Sequence, residues 1–176
     1  MIITKHIDTP LGKMIAGATD DGICLFDFEF RKMMPSIRKR ISSFLQDDFE
    51  AGEHPHFDML QLQVSEYFRG ERQSFELPLL MTGTPFQQKV WEALQAIPYG
   101  NTRSYMQQAK VLGDEKAIRA VARANGENCL AFIVPCHRVV GNDGSLTGYA
   151  GGLKAKKWLL EHEAKHAGLA VQQVMF

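Results

Sequence analysis

Between Ile23 and Phe30 apolar positions recur with a period of two: Cys24, Phe26, Phe28 and Phe30 alternate with Ile23, Leu25, Asp27 and Glu29. That period predicts a β-strand with a strongly apolar face. Thr9-Pro10-Leu11-Gly12 and Asp20-Asp21-Gly22 are turn signals that bracket Lys13 to Thr19 just before it. The rhythm then lengthens to three and four. Pro35 can open a helix carrying Ile37, Ile41, Phe44 and Leu45 on one side, and a second helix uses Phe57, Leu60, Val64, Tyr67 and Phe68 before Gly70 stops it. Antiparallel strands with helices on one side would bury these faces. His54-Pro55-His56 reads as an exposed loop, since no further Cys or His cluster supports a metal site there.

Met81-Thr82-Gly83 has the composition of a hinge. In Thr84-Pro85-Phe86-Gln87, Thr84 can cap a helix, Pro85 suits its first position and Gln87 completes a capping box. Phe86, Val90, Leu94 and Ile97 then share a face, with Trp91 beside it. A helix from about Arg103 to Leu112 ends at Gly113, and another runs from near Asp114 to about Asn125 with Lys116, Arg119 and Arg123 along it. Two short helices around a glycine turn suit a helix-turn-helix. Ala117, Ala120 and Ala124 make one helix face nearly free of side chains, fit for close packing or close approach to a groove. Leu130 to Val134 is a short apolar run that predicts a buried strand leading into Pro135-Cys136-His137-Arg138.

Composition narrows the possibilities. No run of about 18 apolar residues marks a membrane span, and the N-terminus lacks the pattern of a secretory leader, so the expectation is an intracellular, cytoplasmic protein without a membrane partner. Three cysteines without Cys-X-X-Cys spacing argue against a disulfide framework. The net charge of zero conceals a split: residues 1–80 carry 9 Lys/Arg against 13 Asp/Glu, and residues 81–176 carry 11 against 7. A polyanionic partner would therefore dock on the second half. Cys136 stands out from Cys24 because it leaves an apolar run beside His137 and Arg138, cationic neighbours that favour a thiolate. Adjacent residues on a strand face opposite ways, so that proximity alone does not join Cys136 to His137.

The ordered motifs Pro98-Tyr99-Gly100, Ser104-Tyr105, Ala117-Ile118-Arg119-Ala120-Val121, Asn128, Ile133-Val134-Pro135-Cys136-His137-Arg138-Val139-Val140, Thr147-Gly148-Tyr149-Ala150-Gly151-Gly152-Leu153 and Trp158-Leu159-Leu160-Glu161-His162-Glu163 span the segment from Thr84 to about Glu163. This segment resembles the O6-alkylguanine-DNA alkyltransferases, or methylated-DNA–protein-cysteine methyltransferases. The resemblance implies an α+β protein. Residues 1–81 would form a ribonuclease-H-like domain with antiparallel strands. Residues 82–176 would form a mostly helical domain for DNA binding and alkyl transfer, containing a winged-helix-like helix-turn-helix.

It further implies DNA repair in which Cys136 displaces guanine from an O6-alkyl group, chiefly methyl, and keeps the alkyl group as a stable thioether, so that each molecule reacts once. Alkylated thymine is a second candidate substrate. His137 would act as base through a water and Glu163 would orient it. Asn128 would tie the segment before Cys136 to the recognition helix, and Tyr105 would push the phosphate beside a flipped base and later serve guanine in the pocket. Arg119 would fill the vacated stack, with Ala120 and Arg123 beside it in the minor groove of duplex DNA and little sequence preference. Val139, Tyr149 and Ala150 would line the pocket. Lys156 matches a family lysine near that pocket, with a solvated helix cation as the alternative. The expectation is a monomer with no cofactor and no metal. His162 and His166 read as an exposed polar face. Cys129 stands where the family usually has Pro, and is expected to be partly buried and unreactive. The rival reading is a non-catalytic lesion-binding protein of the alkyltransferase-like kind, against which Cys136 itself argues.

Overall fold

Both N-terminal turns form where their residues place them. β1 (Ile2–Thr9) and β2 (Gly12–Thr19) pair antiparallel, and β3 (Gly22–Phe28) returns antiparallel to β2 with an irregularity between Gly17 and Ala18. Thr9 Oγ1 closes the first turn by donating to the Gly12 carbonyl at 2.8 Å and accepting from the Leu11 amide at 3.2 Å. At the second turn only glycine fits, because a Cβ on Gly22 would lie 2.9 Å from the Pro78 carbonyl oxygen. The computed structural model describes residues 1–168. Their chain forms two compact units, residues 1–84 with 129–131, and residues 85–128 with 132 onward.

In the first unit the sheet order is β3-β2-β1-β4, and β4 (Phe49–Ala51) lies parallel to β1. The sheet is thus mixed, not purely antiparallel as expected. The reason is the helix α1 (Met34–Leu45), which carries the chain from β3 back to the sheet, and a helical crossover delivers a strand in the parallel sense. α1 buries Met34, Ile37 and Ile41. Leu45 packs on that core, whereas Phe44, expected beside it, is exposed. Every residue of β3 is buried although it ends the sheet order. Its outer edge is occupied: Ile23 bridges to Leu79 and Phe26 to Leu130, with Phe26 N donating to Cys129 O at 2.8 Å and Ala131 N to Phe26 O at 2.7 Å. Covering an edge in this way removes its unpaired amides and carbonyls from competition. Buried Asp27 accepts from Arg31 Nη1 at 2.7 Å and from the Phe28 amide at 2.8 Å.

His54 and His56 are not in a loop. They begin α2 (Pro55–Phe68), where the His54 ring caps the helix by accepting from the His56 amide at 3.1 Å, its other nitrogen 2.9 Å from Asp20. α2 buries Phe57, Leu60, Val64 and Tyr67, as its spacing requires.

The second unit opens with α3 (Pro85–Gln95), which buries Val90, Trp91 and Leu94 but leaves Phe86 exposed. Trp91 Nε1 donates to Ala124 O at 2.8 Å. β5 (Arg103–Ser104) pairs in parallel with β6 (Val139–Val140). α4 (Tyr105–Val111) starts at a capping box formed by Ser104 and Gln107. After Gly113, at φ 84°, a 3-10 turn (Glu115–Ala117) leads into α5 (Ile118–Gly126). The alanine row is divided: Ala117 belongs to the 3-10 turn, Ala120 is exposed and Ala124 is buried. The apolar run before Cys136 is buried but is not a strand. Phe132 adopts φ 42°, residues 131–134 turn, and Cys136–Arg138 form a 3-10 turn. A left-handed residue followed by Pro135, which has no amide hydrogen, cannot sustain a ladder. α6 (Leu153–His166) follows Gly152. Among the described residues no helix is long and apolar enough to cross a membrane.

Gly22→Ala is expected to cost about 1–3 kcal/mol by forcing a methyl group into rigid backbone, read as a lower denaturation midpoint with an unchanged slope. An unaltered midpoint would show that the Pro78 segment yields freely.

Candidate functional site

Pro135 and the surrounding turn place Cys136 at the head of three residues that all lie below a tenth exposed: Cys136 at 6%, His137 at 0% and Arg138 at 7%. Two asparagines hold the turn. Asn128 Nδ2 donates to Val134 O at 2.9 Å, and Asn125 Nδ2, from the end of α5, donates to Cys136 O at 3.4 Å. The Cys136 amide donates back to Val134 O at 2.8 Å. Buried backbone groups need such partners, so the asparagines fix the path of the main chain that carries the thiol.

His137 and Arg138 converge on one acid. His137 Nε2 lies 2.8 Å from Glu163 Oε2, while Arg138 donates through Nε to Oε1 at 2.7 Å and through Nη2 to Oε2 at 3.0 Å. Arg138 Nη1 also donates to Ile97 O at 2.7 Å, and its guanidinium lies 5.7 Å from the centre of the Tyr99 ring. Burial would push the Glu163 carboxyl up, but His137 and Arg138 together outweigh it and hold it well below the usual range. Burial pushes His137 down, the Glu163 charge opposes this, and Arg138 and Lys156 add to the depression. The imidazole is therefore neutral at neutral pH. An ionised carboxylate only accepts, so Nε2 carries the proton and Nδ1 the lone pair. Nδ1 is buried and has no hydrogen-bond partner among the described residues. The arrangement can take a proton from a neighbouring acid.

Lys156 is fully buried on α6, and its Nζ donates to Val139 O and Thr147 O, both at 2.7 Å. Burial lowers its pKa to about 8, with Cys136 acting in the opposite sense. It is therefore no solvated helix cation. Val139 is buried, the Tyr149 ring stands edge-on 6.4 Å from His137, and Ala150 is half-buried. The Tyr105 hydroxyl accepts from Thr147 Oγ1 at 3.3 Å, which links α4 to the loop that Lys156 grips. Arg119, Ala120 and Arg123 lie on the exposed face of α5.

The structure thus gathers Cys136, His137, Glu163, Asn128, Val139 and Tyr149 about one turn, reaches Tyr105 through Thr147, and leaves Arg119, Ala120 and Arg123 facing solvent. The sequence reading gave no role to Asn125 and took Arg138 for a cation favouring the Cys136 thiolate, whereas its guanidinium is committed to Glu163 and Ile97 O. A signal for Lys156 was present, since it lies seven residues before Glu163 and so shares its helix face. His162, expected to be exposed, is buried and stacked on Trp158 with ring centres 4.6 Å apart. Elsewhere, burial pushes the thiol of Cys24 up to about 12 and that of Cys129 up to about 11, and Cys129 Sγ donates to Cys24 O at 3.4 Å. Both are poor nucleophiles at neutral pH.

The site makes the fold acid-sensitive. His137 binds protons less readily folded than unfolded, so its contribution is complete above its ordinary value of 6.5 and is lost as pH falls below it. Glu163 is depressed from 4.5 and its contribution is lost lower still. Unfolding free energy is expected to decline as pH falls below 6.5 and to drop more steeply below 4.5, as urea titrations would measure. His137→Gln should abolish the decline between 6.5 and 4.5, and its persistence would assign it to another group.

A family model described as 6-O-methylguanine DNA methyltransferase, DNA binding domain, matches residues 85–165. The chain is 43% identical over 157 residues to the constitutive methylated-DNA–protein-cysteine methyltransferase of Bacillus subtilis, covering 89% of this chain and 92% of that protein. It is 42% identical over 156 residues to a protein of the same name from Methanosarcina acetivorans, covering 89% and 94%. A crystal structure of Mycobacterium tuberculosis OGT in complex with DNA matches with a TM-score of 0.82 and 36% identity over 99% of each chain. By this similarity along most of its length, the chain belongs to the methylated-DNA–protein-cysteine methyltransferase family.

Proposed function

We propose that this protein repairs duplex DNA by moving an alkyl group, chiefly methyl, from O6 of guanine to the sulfur of Cys136, with O4-alkylthymine as a second substrate. The observation that carries the reading is the neutral His137, whose Nε2 is committed to Glu163 while Nδ1 has no hydrogen-bond partner among the described residues, next in the chain to Cys136 in a member of this family. His137 takes the thiol proton, directly or through one water. The thiolate attacks the alkyl carbon, a carbon–sulfur bond forms, and the bond from that carbon to O6 breaks with its electron pair going to guanine. The thioether product is inert to hydrolysis, so the reaction is stoichiometric. Glu163 fixes the tautomer of His137, Asn128 fixes the turn, and Tyr105 assists the departing guanine.

A base in a stacked duplex hides its O6 substituent, so the nucleotide must be flipped out. The exposed Arg119 fits the vacated stack, with Ala120 and Arg123 beside it toward the minor groove. Contacts there are chiefly with phosphate, so sequence preference is slight and salt weakens binding steeply. Val139, Tyr149 and Ala150 form the pocket for the everted base. In this reading residues 1–81 are a ribonuclease-H-like domain, residues 82–176 hold a winged helix-turn-helix built on α4 and α5, and the protein acts as a cytoplasmic monomer without a cofactor.

Intact-protein mass spectrometry after exposure to an O6-methylguanine duplex tests the proposal: the protein gains the mass of one methyl group, and peptide mapping places it on Cys136. Cys136→Ser still binds the duplex and gains nothing. A wild-type protein that binds the lesion and stays unmodified is a lesion binder instead. Arg119→Ala should slow transfer from duplex DNA by about tenfold or more while thiol reactivity persists, because base eversion costs a few kcal/mol. Equal rates for Arg119→Ala and wild type would remove Arg119 from the flipping step.

A further inference from the structure

We infer that Arg138 is a positioning residue of this centre: by clasping both oxygens of Glu163 it takes up that carboxylate's charge, and so keeps His137 a neutral base. The inference rests on the reading of His137 as the base in alkyl transfer. A buried carboxylate 2.8 Å from an imidazole, acting by itself, stabilises the imidazolium. An imidazolium carries protons on both nitrogens and has no lone pair with which to accept one from Cys136. The Glu163 partnership that orients His137 would therefore also pull it toward a form that cannot accept that proton.

Arg138 resolves that conflict by geometry. Its planar fork meets Glu163 side-on, Nε to Oε1 at 2.7 Å and Nη2 to Oε2 at 3.0 Å, so the carboxylate is shared between a permanent cation and the imidazole. The guanidinium cannot swing away, because Nη1 is held by Ile97 O at 2.7 Å and the side chain is buried. Of the other groups around His137, Lys156 acts in the same direction, whereas Cys136, once ionised, acts against it. Lys156 of α6 is a second buried cation, the Tyr149 ring faces His137 edge-on, and Cys136 precedes it in the turn. On α3, which also packs on this turn, Lys89 and Glu92 are exposed. Burial favours the neutral imidazole, the Glu163 charge opposes it, and Arg138 and Lys156 offset that charge, so the balance stays with the neutral form.

The test uses unreacted full-length protein with 15N-labelled histidine, in wild type, Arg138→Gln and Arg138→Lys, with the pH dependence of alkyl transfer measured alongside. Gln keeps a donor but loses the charge, and Lys keeps the charge. In the wild type, His137 should show the neutral, Nε2-protonated pattern at pH 7. In Arg138→Gln its midpoint should rise by at least about one unit, with transfer on the acid side slowed about tenfold in step. In Arg138→Lys it should stay neutral at pH 7 and transfer should persist. The inference is overturned if wild-type His137 is an imidazolium at pH 7, or if a folded Arg138→Gln titrates as the wild type does. Should Arg138→Gln not fold, Arg138→Lys decides: His137 neutral upholds the role of charge, and His137 protonated at pH 7 overturns it. A wild-type protein that accepts no alkyl group at any pH would sink the functional reading, while the nitrogen spectra would still decide the role of Arg138.

Discussion

One buried carboxylate organises the second unit. Glu163 has no exposed surface, and an ion in that setting is tolerated only when several good donors surround it. Those donors come from His137 and Arg138, adjacent in sequence and delivered by a single 3-10 turn. Because both must meet the same acid, the turn and the α6 helix can pack in only one register. The same register brings Lys156, two helical turns before Glu163, onto the carbonyls of Val139 and Thr147. The charge network is thus a constraint on position more than a source of stability, and the position it enforces is that of Cys136.

That constraint explains why the chain abandons a strand before the thiol. A strand would send Cys136 and His137 to opposite faces. The left-handed Phe132, Pro135 and the carbonyl contacts of Asn125 and Asn128 instead curl the chain, so that successive side chains fan out around a turn. A bulky residue in a sparsely populated backbone region costs of order 1–3 kcal/mol and persists where its surroundings over-determine it. Here Phe132 is buried. The apolar run before Cys136 therefore serves as ballast for a strained bend.

What could be read from the chain follows from the range of the interactions involved. The hairpin turns, the α2 core positions, the paired helices around Gly113 and the family motifs about Cys136 are local, and local patterns announce themselves. The parallel attachment of β4 was not legible, since it depends on where α1 returns the chain. Nor was the role of His54, because a histidine in place of the usual capping residues gives no signal until its ring meets the His56 amide. Phe44 and Leu45 compete for one core position, and spacing alone does not rank them. At the site, Glu163 was visible through its motif, while the Arg138 fork depends on atomic placement that no spacing encodes.

The uneven charge of the chain gains a different meaning from these positions. An excess of basic residues after residue 81 suggested a surface for a polyanion, yet Arg138 and Lys156 are buried and Arg103 is half-buried. Arg138 is spent on Glu163, Lys156 on main-chain carbonyls, and Arg103 on Gln108 and Ala93 at 2.7 and 3.3 Å. Counting charges therefore overstates the basic face. The cations that remain outward on α5 are Arg119 and Arg123, and Arg123 is only loosely engaged by Glu127 at 3.8 Å. They flank Ala120, whose small side chain lets the helix backbone approach a partner closely. Two exposed guanidinium groups about a bare patch concentrate positive charge on a chain of zero net charge, and they sit on the helix whose last turn, through Asn125, holds the carbonyl of Cys136.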